Sequence, residues 1–155
     1  MATGSQHDQS KSGWNQTIEG GFVVLDFGSQ LTQLIARRLR ELNYYSELLP
    51  FNTPVEEIRR RKPKGIILSG GPSSVHEDGS PKADVRALNE IAPLLGICYG
   101  MQLIAQELGG KVEAASSREY GHNYVAWSEP FAPRIPLSQR VWMSHGDVVR
   151  VPPPG

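Results

Sequence analysis

Apolar and polar positions follow two rhythms between Phe22 and Gly110. Phe22-Val23-Val24-Leu25-Asp26-Phe27 is a near-continuous apolar run of the kind found in parallel strands covered on both faces. After the turn Gly28-Ser29-Gln30, Leu31, Leu34, Ile35, Leu39 and Leu42 recur at helical spacing, with Arg37, Arg38, Arg40 and Glu41 on the wet side. Strand, turn and amphipathic helix are predicted, and the succession then returns. Tyr45 to Leu49 reads as a second strand. Thr53 as N-cap, Pro54 at the first helical position and Glu56 make a capping box that predicts a helix running into the basic cluster Arg59 to Lys64, where cations complement the helix dipole. Gly65-Ile66-Ile67-Leu68 predicts a third buried strand. Beyond a turn at Asp78 to Pro81, Ala83 to Ile91 predicts a modest helix with Val85, Leu88 and Ile91 inward. Pro93 then opens a short apolar run to Cys98, and an amphipathic helix follows, closed by Gly109 and Gly110.

Three strand–helix alternations before residue 110 predict an α/β fold, a doubly wound and mainly parallel sheet with helices on both faces. The pattern changes after Gly110. Short β-like runs at Lys111 to Ala114, Asn123 to Trp127, Arg140 to Met143 and Val148 to Val151 lack intervening helices, so hairpin-like strands beside the sheet are expected. Ser128 to Pro136, with three prolines, reads as a loop. Residues 1–20 are polar, with one stray Trp14, and are expected to form a mobile extension in which His7 has no assigned role.

A length of 155 residues suits one domain. Lysine plus arginine (16) equals aspartate plus glutamate (16), so no global field would draw nucleic acid or a membrane surface. One cysteine cannot form an internal disulfide, and no apolar run approaches the ~18 residues of a membrane span. Residues 1–20 lack the apolar core of a signal peptide, so a cytoplasmic enzyme or binding domain is expected.

The candidate chemistry centres on Gly96-Ile97-Cys98-Tyr99-Gly100. This Gly-x-Cys-x-Gly frame is the thiol counterpart of the nucleophile elbow, where small flanking residues let a strained turn project the nucleophile at a helix N-terminus. The helix dipole there predicts a thiol pKa below its ordinary value. A lone cysteine in an apolar setting is also a common small core residue, but such a residue gains nothing from glycines on both sides. Ser69-Gly70-Gly71-Pro72-Ser73-Ser74-Val75 carries two readings as well. It suits a plain tight turn, and it suits a site at the carboxyl end of a parallel strand, where backbone N–H groups approach developing negative charge. It lacks the Gly-Lys-Ser/Thr ending of a phosphate-binding loop.

Five segments in order resemble the class I glutamine amidotransferases. They are Leu25-Asp26-Phe27-Gly28-Ser29-Gln30, Ile67-Leu68-Ser69-Gly70-Gly71-Pro72, Gly96-Ile97-Cys98-Tyr99-Gly100-Met101-Gln102, Arg118-Glu119-Tyr120-Gly121 and Trp142-Met143-Ser144-His145-Gly146-Asp147. The last two resemble the GMP synthase branch of that family. Leu31 departs from it, since tyrosine is more usual after Gly-Ser-Gln. The resemblance implies a flavodoxin-like fold and a Cys98 thiolate that attacks the side-chain amide of glutamine, releasing ammonia through a thioester. It also implies Gly71 and Tyr99 as backbone oxyanion donors, with Gln102, Ser144, His145, Gly146 and Asp147 holding the α-amino and α-carboxylate ends of glutamine. No metal is implied in this domain. ATP and Mg²⁺ are implied only for a partner ATP-pyrophosphatase domain, which would aminate xanthosine monophosphate with the ammonia.

In the family, the general-base histidine and its orienting glutamate lie in a His-Pro-Glu motif, which these residues do not contain. Residues 21–155 are therefore expected to be the front portion of a glutamine amidotransferase domain, inactive alone, after the extension at 1–20. His145 with Asp147 is the obvious substitute base pair, but histidine beside glycine in a loop is more often a turn or substrate-side residue. His76 and His122 have weaker claims. The alternative is a non-catalytic flavodoxin-like module that binds a small molecule or partner and retains the cysteine.

Overall fold

The computed structural model describes residues 20–128 and 135–154, the side chains of 115–119 excepted. Four strands, β1 (Phe22–Asp26), β2 (Ser46–Pro50), β3 (Gly65–Leu68) and β4 (Leu94–Gly96), form a parallel sheet in the order β2-β1-β3-β4. Val24 of β1 aligns with Leu48 on one side and Ile67 on the other. The order reverses beside β1, which puts the crevice used for ligands in open α/β sheets at the carboxyl ends of β1 and β3.

The helices α1 (Thr32–Glu41), α2 (Val55–Arg60), α3 (Val85–Asn89) and α4 (Tyr99–Glu107) cover both faces unequally. Strand alternation sends Val23, Leu25, Ile66 and Leu68 to one face, where Ile58 of α2, Val85 and Leu88 of α3 and Leu103 of α4 complete the larger core. Val24 and Ile67 point the other way, onto Ala36 of α1 with Ile35, Leu39 and Leu48 around them. This is the doubly wound α/β architecture predicted from the alternation.

Helix α1 differs from its expected inward stripe. Thr32 and Ala36 are buried, whereas Leu31, Leu34 and Leu42 are exposed. The cause is close approach. Ser46 Oγ donates to the Ala36 carbonyl oxygen at 2.9 Å and Thr32 Oγ1 donates to Asp26 Oδ1 at 2.9 Å, so small residues must face the sheet. The predicted capping box at Thr53 also does not form. Pro54 is the N-cap, and Thr53 Oγ1 turns back to donate to the Pro50 carbonyl oxygen at 2.7 Å. Proline at the cap leaves φ at −55° and starts the helix without a side-chain acceptor. At α3 the cap is Asp84, whose carboxylate accepts from Ala87 N at 3.0 Å.

The four short runs after Gly110 merge into two long antiparallel strands, β5 (Lys111–Ala126) and β6 (Ser138–Val151), forming a separate two-stranded sheet. The register runs from Lys111 opposite Val151 to Ala126 opposite Ser138, with irregularities between Lys111 and Val112 and between Ala114 and Glu119. A ribbon largely open to water needs no continuous apolar face, so its polar middle carried no strand pattern. Val112 is buried in the larger core and Val149 packs against it. The expected loop lies partly outside the described residues, at 129–134, as do residues 1–19 with His7 and Trp14.

Candidate active site

Strand β4 delivers the chain to Cys98 under constraint. Ile97 N donates to the Leu68 carbonyl oxygen at 3.0 Å, and Gly100 N donates to the Ser69 carbonyl oxygen at 3.1 Å. Between these ties Cys98 has φ 51° and ψ −112°, outside the basins open to a residue with a Cβ. The positions two residues to either side must be glycine. A Cβ on Gly96 would collide with the Met101 backbone, and one on Gly100 with the Leu68 carbonyl. The predicted elbow is therefore present, with Cys98 as N-cap of α4 and its thiol half-buried.

Two loops meet beside Cys98. In the glycine loop after β3, a Cβ on Gly70 would lie 3.5 Å from Cys98 Cβ and 3.8 Å from Ser29 Cβ, which belongs to the loop after β1. A Cβ on the next residue, Gly71, would lie 2.5 Å from the Phe27 carbonyl oxygen. Fully buried Ser69 ties these turns together, accepting from Phe27 N at 3.0 Å and donating to the Gly70 carbonyl oxygen at 2.9 Å. Tyr99 is anchored by its ring, buried 5.5 Å from that of Phe27, and its hydroxyl donates to the Pro81 carbonyl oxygen.

Strand β6 closes the site from the far side. Cys98 Sγ donates to the Ser144 carbonyl oxygen at 3.7 Å. Buried Gln102, one turn into α4, donates from Nε2 to the Asp147 carbonyl oxygen at 3.0 Å. Ser74 Oγ donates to Asp147 Oδ2 at 2.6 Å. Of the residues expected at the site, Cys98, Tyr99, Gln102, Ser144 and Asp147 are thus brought together, with Gly71 one residue from the Gly70 contact. His145 and Gly146 lie half-buried between Ser144 and Asp147. His122 instead packs edge-on against Trp142 across the hairpin, ring centroids 5.0 Å apart, and His76 is exposed. Sequence reasoning missed Ser69 and Ser74, whose partners are distant in the chain and leave no local signal.

The thiol is less acidic than its helix-terminal position suggested. Burial pushes the Cys98 pKa up, a backbone hydrogen bond from Tyr99 pulls it down, and the negative charge of Asp147 pushes it up again. Desolvation of a thiolate behind the hairpin outweighs the few N–H dipoles of the first helical turn. No cluster of three or more His, Cys, Asp and Glu residues able to hold a metal ion occurs among the described residues, nor any helix long and apolar enough to cross a membrane.

The fold is thus a flavodoxin-like α/β sheet with a cysteine on a strained elbow beside the glycine loop at its switch point. The profile of the class-I glutamine amidotransferases matches residues 23–154, and the chain belongs to that family. It is 62% identical over 135 residues to a Bdellovibrio bacteriovorus protein named GMP synthase [glutamine-hydrolyzing], covering 87% of this chain and 26% of the relative. It is 53% identical over 134 residues to the protein of that name from Thermus thermophilus, covering 86% and 27%. The chain thus spans about a quarter of the length of these curated relatives. A Thermoplasma acidophilum protein solved by crystallography, and provisionally assigned to GMP synthase, superposes with a TM-score of 0.69 at 29% identity, covering 85% of this chain and 67% of that one.

Proposed function

We propose that this chain is the glutamine-handling part of a GMP-forming enzyme, and that Cys98 captures glutamine through its side-chain amide. The observation that carries the reading is the strained Cys98 elbow held against Gly70, because that geometry has no use in a packing cysteine. The names of the relatives support the glutamine-hydrolysing and GMP-forming halves of the proposal.

In the proposed reaction the Cys98 sulfur bonds to the amide carbon and the carbonyl oxygen becomes an oxyanion. The thiol gives up its proton as the S–C bond forms; the C–N bond then breaks with that proton delivered to the leaving nitrogen, so ammonia departs and a glutamyl thioester remains. Water then adds to the thioester carbon, and the sulfur leaves to give glutamate and the free thiol. Backbone N–H groups of Gly71 and Tyr99 serve the oxyanion, and each such donor is worth about 3 kcal/mol in the barrier. Tyr99 already has an N–H directed at the sulfur, so that donor can pass from the sulfur to the oxyanion as the bond forms. Gln102, Ser144, His145, Gly146 and Asp147 hold the amino-acid end of glutamine, with Asp147 supplying negative charge for the α-ammonium.

Sustained turnover also needs a general base, a role worth about 10²–10⁴-fold. The resemblance sets that role in a His-Pro-Glu sequence that these residues do not contain. For residues 1–155, capture at Cys98 is therefore proposed, with slow hydrolysis. The ammonia would pass to an ATP-pyrophosphatase domain that aminates xanthosine monophosphate, a domain to which ATP and Mg²⁺ belong. Equal numbers of basic and acidic residues and a single cysteine support a cytoplasmic setting without nucleic acid or membrane.

The test is covalent labelling by a glutamine-like diazoketone followed by peptide mass spectrometry. Labelling at Cys98 that excess glutamine suppresses is expected. A folded chain whose Cys98 stays unlabelled, or whose labelling ignores glutamine, would refute the assignment and leave a binding module that merely retains the cysteine.

A further inference from the structure

Ser74 is a side chain at the site that the five family segments leave out and the thioester chemistry does not use. Ser74 stands at the end of the glycine loop, next to Val75, which is buried in the larger core and so fixes the loop at that point. Its hydroxyl has both of its capacities engaged. It donates to Asp147 Oδ2 at 2.6 Å and accepts from His76 N at 3.2 Å. A carboxylate only accepts, so the hydroxyl proton points at Asp147, and the His76 amide fills one of the two lone pairs behind it. A hydrogen bond to a charged oxygen at this length is roughly twice as strong as a neutral one.

Asp147 is thereby clamped at two atoms from two elements. The glycine loop holds its carboxylate through Ser74, and α4 holds its carbonyl oxygen through Gln102 Nε2 at 3.0 Å. Three residues upstream on the same strand, the Ser144 carbonyl oxygen meets the Cys98 thiol. An extended segment of that length covers about 10 Å, and a strand fixed at one end sets the height of the other over the nucleophile.

We infer that Ser74 is a positioning residue, whose hydroxyl aims the Asp147 carboxylate and seats the 144–147 segment over Cys98 for the amino-acid end of the substrate. The inference rests on the proposed glutamine reading for its ligand, and on the hydrogen bonds alone for its mechanics. Removing the hydroxyl frees the carboxylate to rotate and loosens one of the ties between hairpin and sheet. Threonine keeps the donor and alanine does not.

The experiment compares the parent 155-residue chain with Ser74→Ala and Ser74→Thr by two readouts. Hydrogen exchange follows the amides of residues 144–148, and labelling kinetics with the glutamine-like diazoketone separate the half-saturating concentration from the limiting rate. In Ser74→Ala, exchange at 144–148 should accelerate about tenfold and the half-saturating concentration should rise about tenfold, with the limiting rate within about twofold of the parent. Ser74→Thr should restore both. Asp147→Asn, which keeps the side-chain shape and weakens the acceptor, should move both readouts in the same direction if Ser74→Ala does not fold. Exchange and half-saturation both at parent values would overturn the inference, and so would a limiting rate that falls as far as affinity. If the parent takes no label while Ser74→Ala still loosens 144–148 and Ser74→Thr restores it, the glutamine reading falls and the positioning role stands.

Discussion

The parallel-sheet half, residues 22–110, and the β5–β6 hairpin meet at Cys98 but are held together by different means. In the sheet half, Val24, Leu25, Leu68 and Leu103 have no exposed surface, and the loops above them are locked by buried groups such as Ser69. The hairpin puts Tyr120, Tyr124 and Trp142 into water and gives the core Val112 and Val149. The difference matches the demands of each side. A residue at φ 51° and ψ −112° persists only where its surroundings over-determine it, which a dense core can do and a two-stranded ribbon cannot. The hairpin has no such residue to hold beside Cys98 and is tied there by Ser74, Gln102 and Cys98.

The sharpest way to break this comparison is one substitution made in both halves. Gly100→Ala would drive a Cβ into the Leu68 carbonyl inside the packed elbow. A loss of about 3 kcal/mol in urea unfolding is expected, at the upper end for overpacking, because neither β3 nor α4 can move aside. Gly121→Ala meets nothing within 4 Å and pays only for an L-residue at φ +101°, about 1–2 kcal/mol. Equal losses at the two positions would mean that hairpin and sheet share one level of constraint.

Large-to-small changes sharpen the contrast at lower amplitude. Leu103→Ala removes a fully buried side chain from the larger core and should cost about 3 kcal/mol by the same measurement. Trp142→Ala loses an exposed ring and its edge contact with His122, and should stay within about 0.5 kcal/mol of the parent. A loss at Trp142 comparable to that at Leu103 would show that the hairpin carries stability of its own.

The same division decides what was legible in the sequence. Strands buried on both faces are written as apolar runs, so β1 and β3 stand where Phe22 to Phe27 and Gly65 to Leu68 predicted them; β4 follows the apolar run after Pro93 as predicted, although its Leu95 is exposed. The Cys98 elbow was legible because its sterics exclude side chains at Gly96 and Gly100. Helix α1 misled because helical periodicity reports amphipathicity and not distance, and a helix seated close on a strand buries Thr32 and Ala36 in preference to Leu31 and Leu34. The long hairpin was unreadable as such, since backbone pairing holds it more than any apolar face. Ser74 and Asp147, 73 residues apart, could be joined only by the fold.

The subtlest test concerns how the hairpin acts on Cys98 across the junction. Burial is the larger cause that holds the Cys98 pKa up, Tyr99 N–H opposes it, and Asp147 adds to it from β6. A raised pKa on a thiol means that the folded state holds its proton more tightly. The stability from this group is therefore full below the unfolded thiol pKa and is lost as pH rises through the folded one. Alkylation of Cys98 by iodoacetamide, followed against pH, should have its midpoint above that of an unfolded cysteine. Asp147→Asn removes the negative charge at nearly constant shape and should move the midpoint downward, while leaving the part due to burial in place. Trp142→Ala, in the same strand but exposed, should leave the midpoint where it was. A midpoint that stays put or rises in Asp147→Asn would mean that the hairpin acts on Cys98 by covering it alone.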